Sequence, residues 1–285
     1  MAHFEMLDGR RNGGGLDSSE NGPWLLLKVG TATQIRLRGA PNWHLSAPRH
    51  GLVSVAAHEP VDSPDRRITL TAVGDDMTTI EARAPDGRRA IHLTVYTRPA
   101  MRHNIAFYFV RDGSGHATRR AEAEAGRILE TLNQIYGPQS NITFEQVDLQ
   151  SVTVPGDLGN HIDLPRTGAG AEFTAIEDAT TAMRVMGLRA LSAAMHARVR
   201  VHFVWSLRRA ASGNDLEGAG RIGGDALLVE DRLSADVGTV VAHEVGHLLG
   251  LDHPGARRGW LMHPTTQGLG TFIPKRQADA LNPRA

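Results

Sequence analysis

The sequence contains no cysteine. Disulfide staples, thiolate metal ligands, a cysteine nucleophile and a thiol-based inhibitory switch are therefore excluded, and any metal must be held by His, Asp or Glu. Net charge is also lacking. Lys plus Arg and Asp plus Glu both number 31, so the overall balance gives the chain no reason to seek nucleic acid or an anionic membrane. No apolar run approaches the roughly 20 residues needed to span a bilayer. The opening stretch MAHFEMLDGRRNGGGLDSSENG lacks the basic, apolar and small-residue order of a secretory signal. Export by a non-classical route is the favoured expectation, and a cytoplasmic location is the alternative. No internal repeat is present, and in particular no run of calcium-binding nonapeptides.

What is present suits a folded protein. Hydrophobic residues make up 41% of 285 positions, enough for a real core, and the length favours two modest domains over one. Residues 1–23 are rich in Gly, Asp and Ser and are expected to form a flexible tail. From Trp24 to Thr97 short alternating runs follow one another: WLLLKV, TQIRLRG, LVSVAA, RITLTAV, TTIEARA and AIHLTVY. Period-two alternation with turn signals about every ten residues predicts an all-β sandwich over 24–98. This region resembles bacterial immunoglobulin-like domains, with Trp43 and the closing strand around Leu93 and Val95 in the matching places. The resemblance implies a module that spaces, docks or binds a protein or glycan partner.

Arg98-Pro99 marks the expected boundary of a second domain, 99–285, with mixed α and β texture. Asn104 to Val110 reads as a buried strand. Thr118 to Tyr136 reads as a helix with Ala121, Ala125, Ile128, Leu129, Leu132 and Ile135 on one face and Gly137-Pro138 as its stop. Further strands are expected at 142–149, 198–206 and 226–229. A helical stretch should run from GAGAE at 168–172 to about Ala194, broken at Gly187. Ser234 is the expected cap of a last helix beginning near Ala235, where Asp236 suits the positive end of the helix dipole.

That last helix carries HEVGHLLGLDHPG, residues 243–255. His243 and His247 are four apart, so both imidazoles leave one face a turn apart and can grip one cation. Glu244 lies about 100° further round, where its carboxylate reaches water on the metal without becoming a ligand. Gly250 stands where the helix must stop and the chain turn back through a left-handed residue, which is cheapest as glycine. His253 can then return as a third ligand. Three neutral imidazoles leave one position of a zinc ion for water, as in a catalytic rather than a closed structural site.

The pattern H-E-x-x-H-x-x-G-x-x-H resembles the metzincin clan of zinc peptidases. The clan also has a methionine in a tight turn beneath the zinc, and Leu261-Met262-His263-Pro264 places Met262 at the matching distance. The resemblance implies an α+β fold: an immunoglobulin-like sandwich followed by a peptidase domain with a mixed twisted sheet and an active-site helix. It further implies one catalytic Zn²⁺, Glu244 as general base, and hydrolysis of polypeptide substrates. His253-Pro254-Gly255 is similar to the serralysin group, whereas Pro264 stands where serralysins and astacins have a tyrosine ligand. LMHP is closer to the matrix metalloproteinase turn, so the subfamily stays open.

Clan members align an extended substrate beside an edge strand. The segment ARIGGDALLVE looks like that strand, with Gly223, Gly224, Asp225, Ala226 and Leu227 as substrate-binding candidates. Arg257 to Pro264 is expected to shape the pocket beyond the scissile bond. His161, His196, His202 and His263 are candidates for a second metal or for substrate contact. Asp17 or Glu20 of the tail is a candidate cover for the cleft. Two competing functions remain: a binding or adhesion protein acting through the sandwich, and a narrow-specificity exported effector protease.

Overall fold

The computed structural model describes the chain apart from residues 1, 10, 13, 19–21, 41, 48–50, 59–64, 166–169, 187–196 and 284–285. Two compact units emerge: Met1–Met101 with Ile135–Ile142 and Phe272–Ala285, and Arg102–Gln134 with Thr143–Thr271. These bounds differ from a simple cut near residue 98. Asn141 explains part of the difference, because its Nδ2 donates to the Leu27 and Arg98 carbonyls at 2.9 and 3.1 Å. Asn282 does the same to Ser140 and Pro99 at 2.9 and 3.3 Å. No helix among the described residues is long and apolar enough to cross a membrane.

In the first unit the strands are β1 (His3–Met6), β2 (Leu16–Asp17), β3 (Trp24–Lys28), β4 (Ala32–Arg38), β5 (His44–Ser46), β6 (Val53–His58), β7 (Arg66–Ala72), β8 (Met77–Arg83) and β9 (Ala90–Arg98). They form two sheets, ordered β1-β4-β7-β6 and β2-β3-β9-β8-β5. Alternation explains the shared core: β7 buries Ile68, Leu70 and Ala72 while the residues between them stay partly exposed, and β8 buries Ile80 and Ala82 in the same rhythm. Residues of both sheets meet in one cluster, which Trp43 flanks. One pairing departs from an all-antiparallel sandwich, since β3 runs parallel to β9 with Leu25 opposite Val95.

The expected flexible tail is not what the described residues form. β1 pairs antiparallel with β4, Phe4 opposite Leu37, and Phe4 is 1% exposed. Glu5 beside it is ion-paired to Arg36 and Arg38 at 3.2 and 2.9 Å. The Gly-rich average hid a short strand whose side chains fit the core. Asp17 is equally committed, buried in β2 with its carboxylate accepting from the Lys275 N–H at 3.0 Å. It is therefore not a cover for a cleft, and Glu20 lies outside the described residues.

Downstream come β10 (Met101–Asp112), α1 (Ala125–Ser140), β11 (Ile142–Val154), β12 (Ile162–Leu164), α2 (Ala171–Met186), β13 (Val199–Val204), β14 (Leu207–Arg209), β15 (Asp215–Leu216), β16 (Gly218–Gly220), β17 (Ala226–Glu230), α3 (Val237–Leu248) and α4 (Lys275–Leu281). The main sheet is mixed, ordered β11-β10-β13-β17-β16, with β13 parallel to both β10 and β17 and β16 antiparallel to β17. Ile105 to Val110 are buried without a break, as both faces of a central strand require. On one face Phe173, Ile176, Ala179 and Met183 of α2 meet strand residues such as Val110, Val204 and Tyr108. α3 packs against β16 and β17, and Gly238 lets it approach α1, because a Cβ there would lie 2.7 Å from Thr131.

α1 starts later and ends later than its sequence predicts. Thr118 does not cap it; its hydroxyl and the Arg119 N–H are held by Asp231 at 2.5 and 2.7 Å. The helix runs through Gly137-Pro138, and partners from outside it take up its last carbonyls: the Asn141 N–H donates to Gly137 O at 3.0 Å and Asn282 Nδ2 to Ser140 O at 2.9 Å. Asn141, at φ 56°, ends it. The expected break at Gly187 and helix end near Ala194 lie outside the described residues.

Candidate metal centre

α3 begins at Asp236, whose carboxylate accepts from the Thr239 N–H at 3.0 Å. Asp236 rather than Ser234 is therefore the cap. The helix buries every residue from Val240 to Leu248, which places His243, Glu244 and His247 against the rest of the unit. It stops in a Schellman turn: the Leu251 N–H donates to Gly246 O, the Gly250 N–H to His247 O, and Gly250 takes φ 95°.

The chain then brings His253 back. Ring centroids of His243, His247 and His253 are 4.8 to 5.3 Å apart, and one nitrogen of each lies within 4.8 Å of the others. His243 Nδ1 donates to Leu261 O at 2.7 Å and His247 Nδ1 to Leu251 O at 2.8 Å. Since a carbonyl only accepts, both rings carry their proton on Nδ1 and turn a bare Nε2 inward. His243 Nε2 and His253 Nε2 are 3.3 Å apart. Two donors about 2.0–2.1 Å from a tetrahedral zinc would be separated by about 3.4 Å, so the His243–His253 pair fits that ion. Burial holds the His243 pKa down at about 4 and that of His247 below its usual value, keeping both neutral and able to ligate.

Leu261 belongs to a tight turn closed by the His263 N–H on Trp260 O at 3.3 Å, with Met262 fully buried inside it. Met262 thus lies in the turn that orients His243. His263 is 7% exposed and lines the same cleft. Its ring rests on Gly268, where any Cβ would collide with it.

Glu244 is buried beneath β16, and burial pushes its carboxyl up to about 8 against the opposing hydrogen bond from the Gly220 N–H. A Cβ on Gly218 would lie 2.9 Å from Glu244 Oε1, and one on Gly220 2.9 Å from the Glu244 carbonyl. These glycines were missed from the sequence. Their signal was the i, i+2 spacing, which turns both toward one face where another group must come close.

The predicted edge segment needs correction. Gly223 and Gly224 form a turn, with the Gly223 N–H on His247 O at 3.0 Å. Asp225 pairs with Arg200 at 2.9 Å. Ala226 and Leu227 lie in β17, covered by β13 on one side and β16 on the other. The turn folds the chain back, so the terminal strand of the sheet is Gly218–Gly220. That strand lines a cleft of about 890 Å³ together with His243, Glu244, His247 and His253, and none of residues 223–227 lines it.

The other histidines are elsewhere. His202 is fully buried against Tyr108, His161 bonds Ser206 Oγ at 2.9 Å, and His196 lies outside the described residues. A second group, Asp112, His116 and Asp157, also has close ligand atoms. Its Asp112 carboxylate is already occupied by the Ser114, Gly115, His116 and Leu158 N–H groups. It organises a loop.

No family model and no curated protein matches this chain. Among solved structures, archaemetzincin from Methanopyrus kandleri is similar over 64% of this chain and 93% of its own, at 16% identity and TM-score 0.39. The S-layer protein rSbsC is similar over 35% of this chain at 11% identity and TM-score 0.25, and the match spans 14% of that longer protein. A cysteine protease inhibitor from Entamoeba histolytica is similar over 28% of this chain and 88% of its own, at 22% identity and TM-score 0.24.

Proposed function

We propose that the chain is a zinc-dependent metalloendopeptidase of the metzincin type. The observation that carries this reading is the convergence of three histidine nitrogens beside a buried glutamate on one wall of a cleft. His243 and His247 would hold the ion through Nε2, because Nδ1 of each is committed to a carbonyl, and His253 would complete the set. When bound, zinc supplies Lewis acidity, lowering the pKa of water and polarising a carbonyl.

The protein's own groups do the rest. Glu244 takes a proton from the attacking water at a carboxylate oxygen and passes it to the leaving amine. β16 over Glu244 excludes bulk water, and its outer edge offers main-chain groups to an extended peptide. Thr265, Pro264 and His263 lie along the cleft on the Met262 side and are the proposed wall of the pocket beyond the scissile bond. The two-sheet unit is the proposed immunoglobulin-like module, docking the enzyme on a protein or glycan.

Zinc content and casein cleavage by wild type and Glu244→Ala, with and without chelator, test the reading. About one zinc in both and cleavage by wild type alone is expected. Zinc in neither protein would end it.

A further inference from the structure

Glu217 lines the same cleft and immediately precedes the glycine strand. Its carboxylate is used three times. Oε1 accepts from Ser234 Oγ at 2.5 Å and from Thr266 Oγ1 at 3.1 Å, while Oε2 accepts from the Ser234 N–H at 3.1 Å. The two hydroxyl oxygens are themselves 2.9 Å apart. Glu217 also accepts through its backbone carbonyl from the Glu230 N–H at 3.1 Å. One side chain therefore joins three segments: the edge strand, the loop before α3 seventeen residues on, and the turn after Met262 forty-nine residues on.

Besides its packing on α3, β16 has only a short ladder to hold it. It is three residues long, Gly-Ala-Gly, and pairs with β17 on one side only. Glycine leaves the most backbone freedom to be frozen, and a methyl is the largest side chain the strand can pack. Yet the strand must stay in register over Glu244, where both glycines approach within contact distance. Hydrogen bonds to an ionised carboxylate are the stronger kind and suit this task. Ser234 is free for it because Asp236 caps the helix.

The geometry points to Glu217 as a positioning residue that pins the edge strand to the Thr266 turn and so sets the width of the peptide groove. Resting on the peptidase reading, this makes Glu217 a determinant of peptide binding and leaves proton transfer to Glu244. Glu217 and Thr266 are half-buried and Ser234 is exposed, so the tie acts locally and not through the core.

The test uses the zinc-loaded full chain as wild type, Glu217→Ala, Glu217→Gln and Thr266→Val. Hydrogen exchange of amides 218–222 should accelerate about tenfold or more in Glu217→Ala, the scale expected when bonds to a charged group are lost. KM for a peptide should rise by a similar factor while kcat changes little, with zinc content unaltered. Glu217→Gln keeps one acceptor oxygen and should fall between. Should Glu217→Ala fail to fold, Thr266→Val, which removes one hydroxyl and keeps the shape, carries the test in the same direction. Unchanged exchange at 218–222, or a loss confined to kcat or zinc content, overturns the proposal. Faster exchange in a protein that cuts no peptide even as wild type upholds the tie and removes the peptidase reading instead.

Discussion

His247 donates its Nδ1–H to the carbonyl of Leu251, four residues on and across the turn at Gly250, at 2.8 Å. The bond fixes the tautomer of the imidazole and aims its free nitrogen at His243 and His253. The turn that makes it needs φ 95° at Gly250, a conformation costing an alanine about 1–2 kcal/mol. Gly250→Ala is therefore expected to stay folded but to weaken zinc binding by about 10–100-fold, the usual effect of losing a group that orients a ligand. Competition with a chromophoric chelator measures it. Wild-type affinity would mean that the turn does not orient His247.

Metal stoichiometry separates the two clusters of potential ligands. The histidine triad presents bare nitrogens, whereas the Asp112 carboxylate is saturated by four backbone N–H groups and by the His116 ring at 2.9 Å. One zinc per chain is expected. His253→Ala should lower it, and Asp112→Ala should leave it unchanged while destabilising the fold by roughly 2–4 kcal/mol through orphaned donors. Metal analysis alongside urea unfolding checks both, and a second bound zinc lost with Asp112 would contradict the assignment.

Gly218→Ala tests the cover over Glu244. The new methyl would start 2.9 Å from Glu244 Cγ and Oε1, so either β16 or the carboxylate must move. A displacement approaching 1 Å at a reacting group is worth on the order of 100-fold in rate. The expected result is a fall of that order in kcat/KM with zinc content intact, measured on a fluorogenic peptide. Full activity would show that the strand yields freely there.

The histidine cluster was legible because its signal is local: His243, Glu244, His247, Gly250 and His253 sit within eleven residues, the helix setting His243 and His247 on one face and the turn at Gly250 returning His253. Met262 was singled out by its spacing after His253, and it lies in the tight turn closed by the His263 N–H on Trp260 O. The edge strand was not. ARIGGDALLVE has a strand's composition, but the turn at Gly223-Gly224 divides it, and which half is the terminal strand depends on β13, more than twenty residues earlier. Ser234 looked like a cap because its type is right; Glu217, equally remote in sequence, takes its hydroxyl. The strand at His3–Met6 failed for a further reason, since a composition average over 23 residues conceals four that alternate.

His202 carries the last expectation, on stability against pH. It is fully buried, stacked on Tyr108 with ring centroids 5.1 Å apart, and burial followed by the Arg200 charge lowers its pKa to about 3. Glu177 Oε1 lies 3.2 Å from its Nε2, and Arg200 takes the other oxygen, Oε2, at 2.5 Å, so the carboxylate's charge is shared with a guanidinium. Because the folded pKa lies below the unfolded value of 6.5, the unfolded chain binds the extra proton between them. The contribution is whole above about pH 6.5 and is lost as pH falls toward 3, with a slope approaching about 1.4 kcal/mol per pH unit. Between pH 6 and 4, metal-stripped wild type should lose stability more steeply than metal-stripped His202→Phe. Asp112, His243 and His247, whose shifts have the same surroundings in both proteins, cancel from the comparison. Parallel urea midpoints across that range would show that His202 is protonated in the fold, with Glu177 as its counterion.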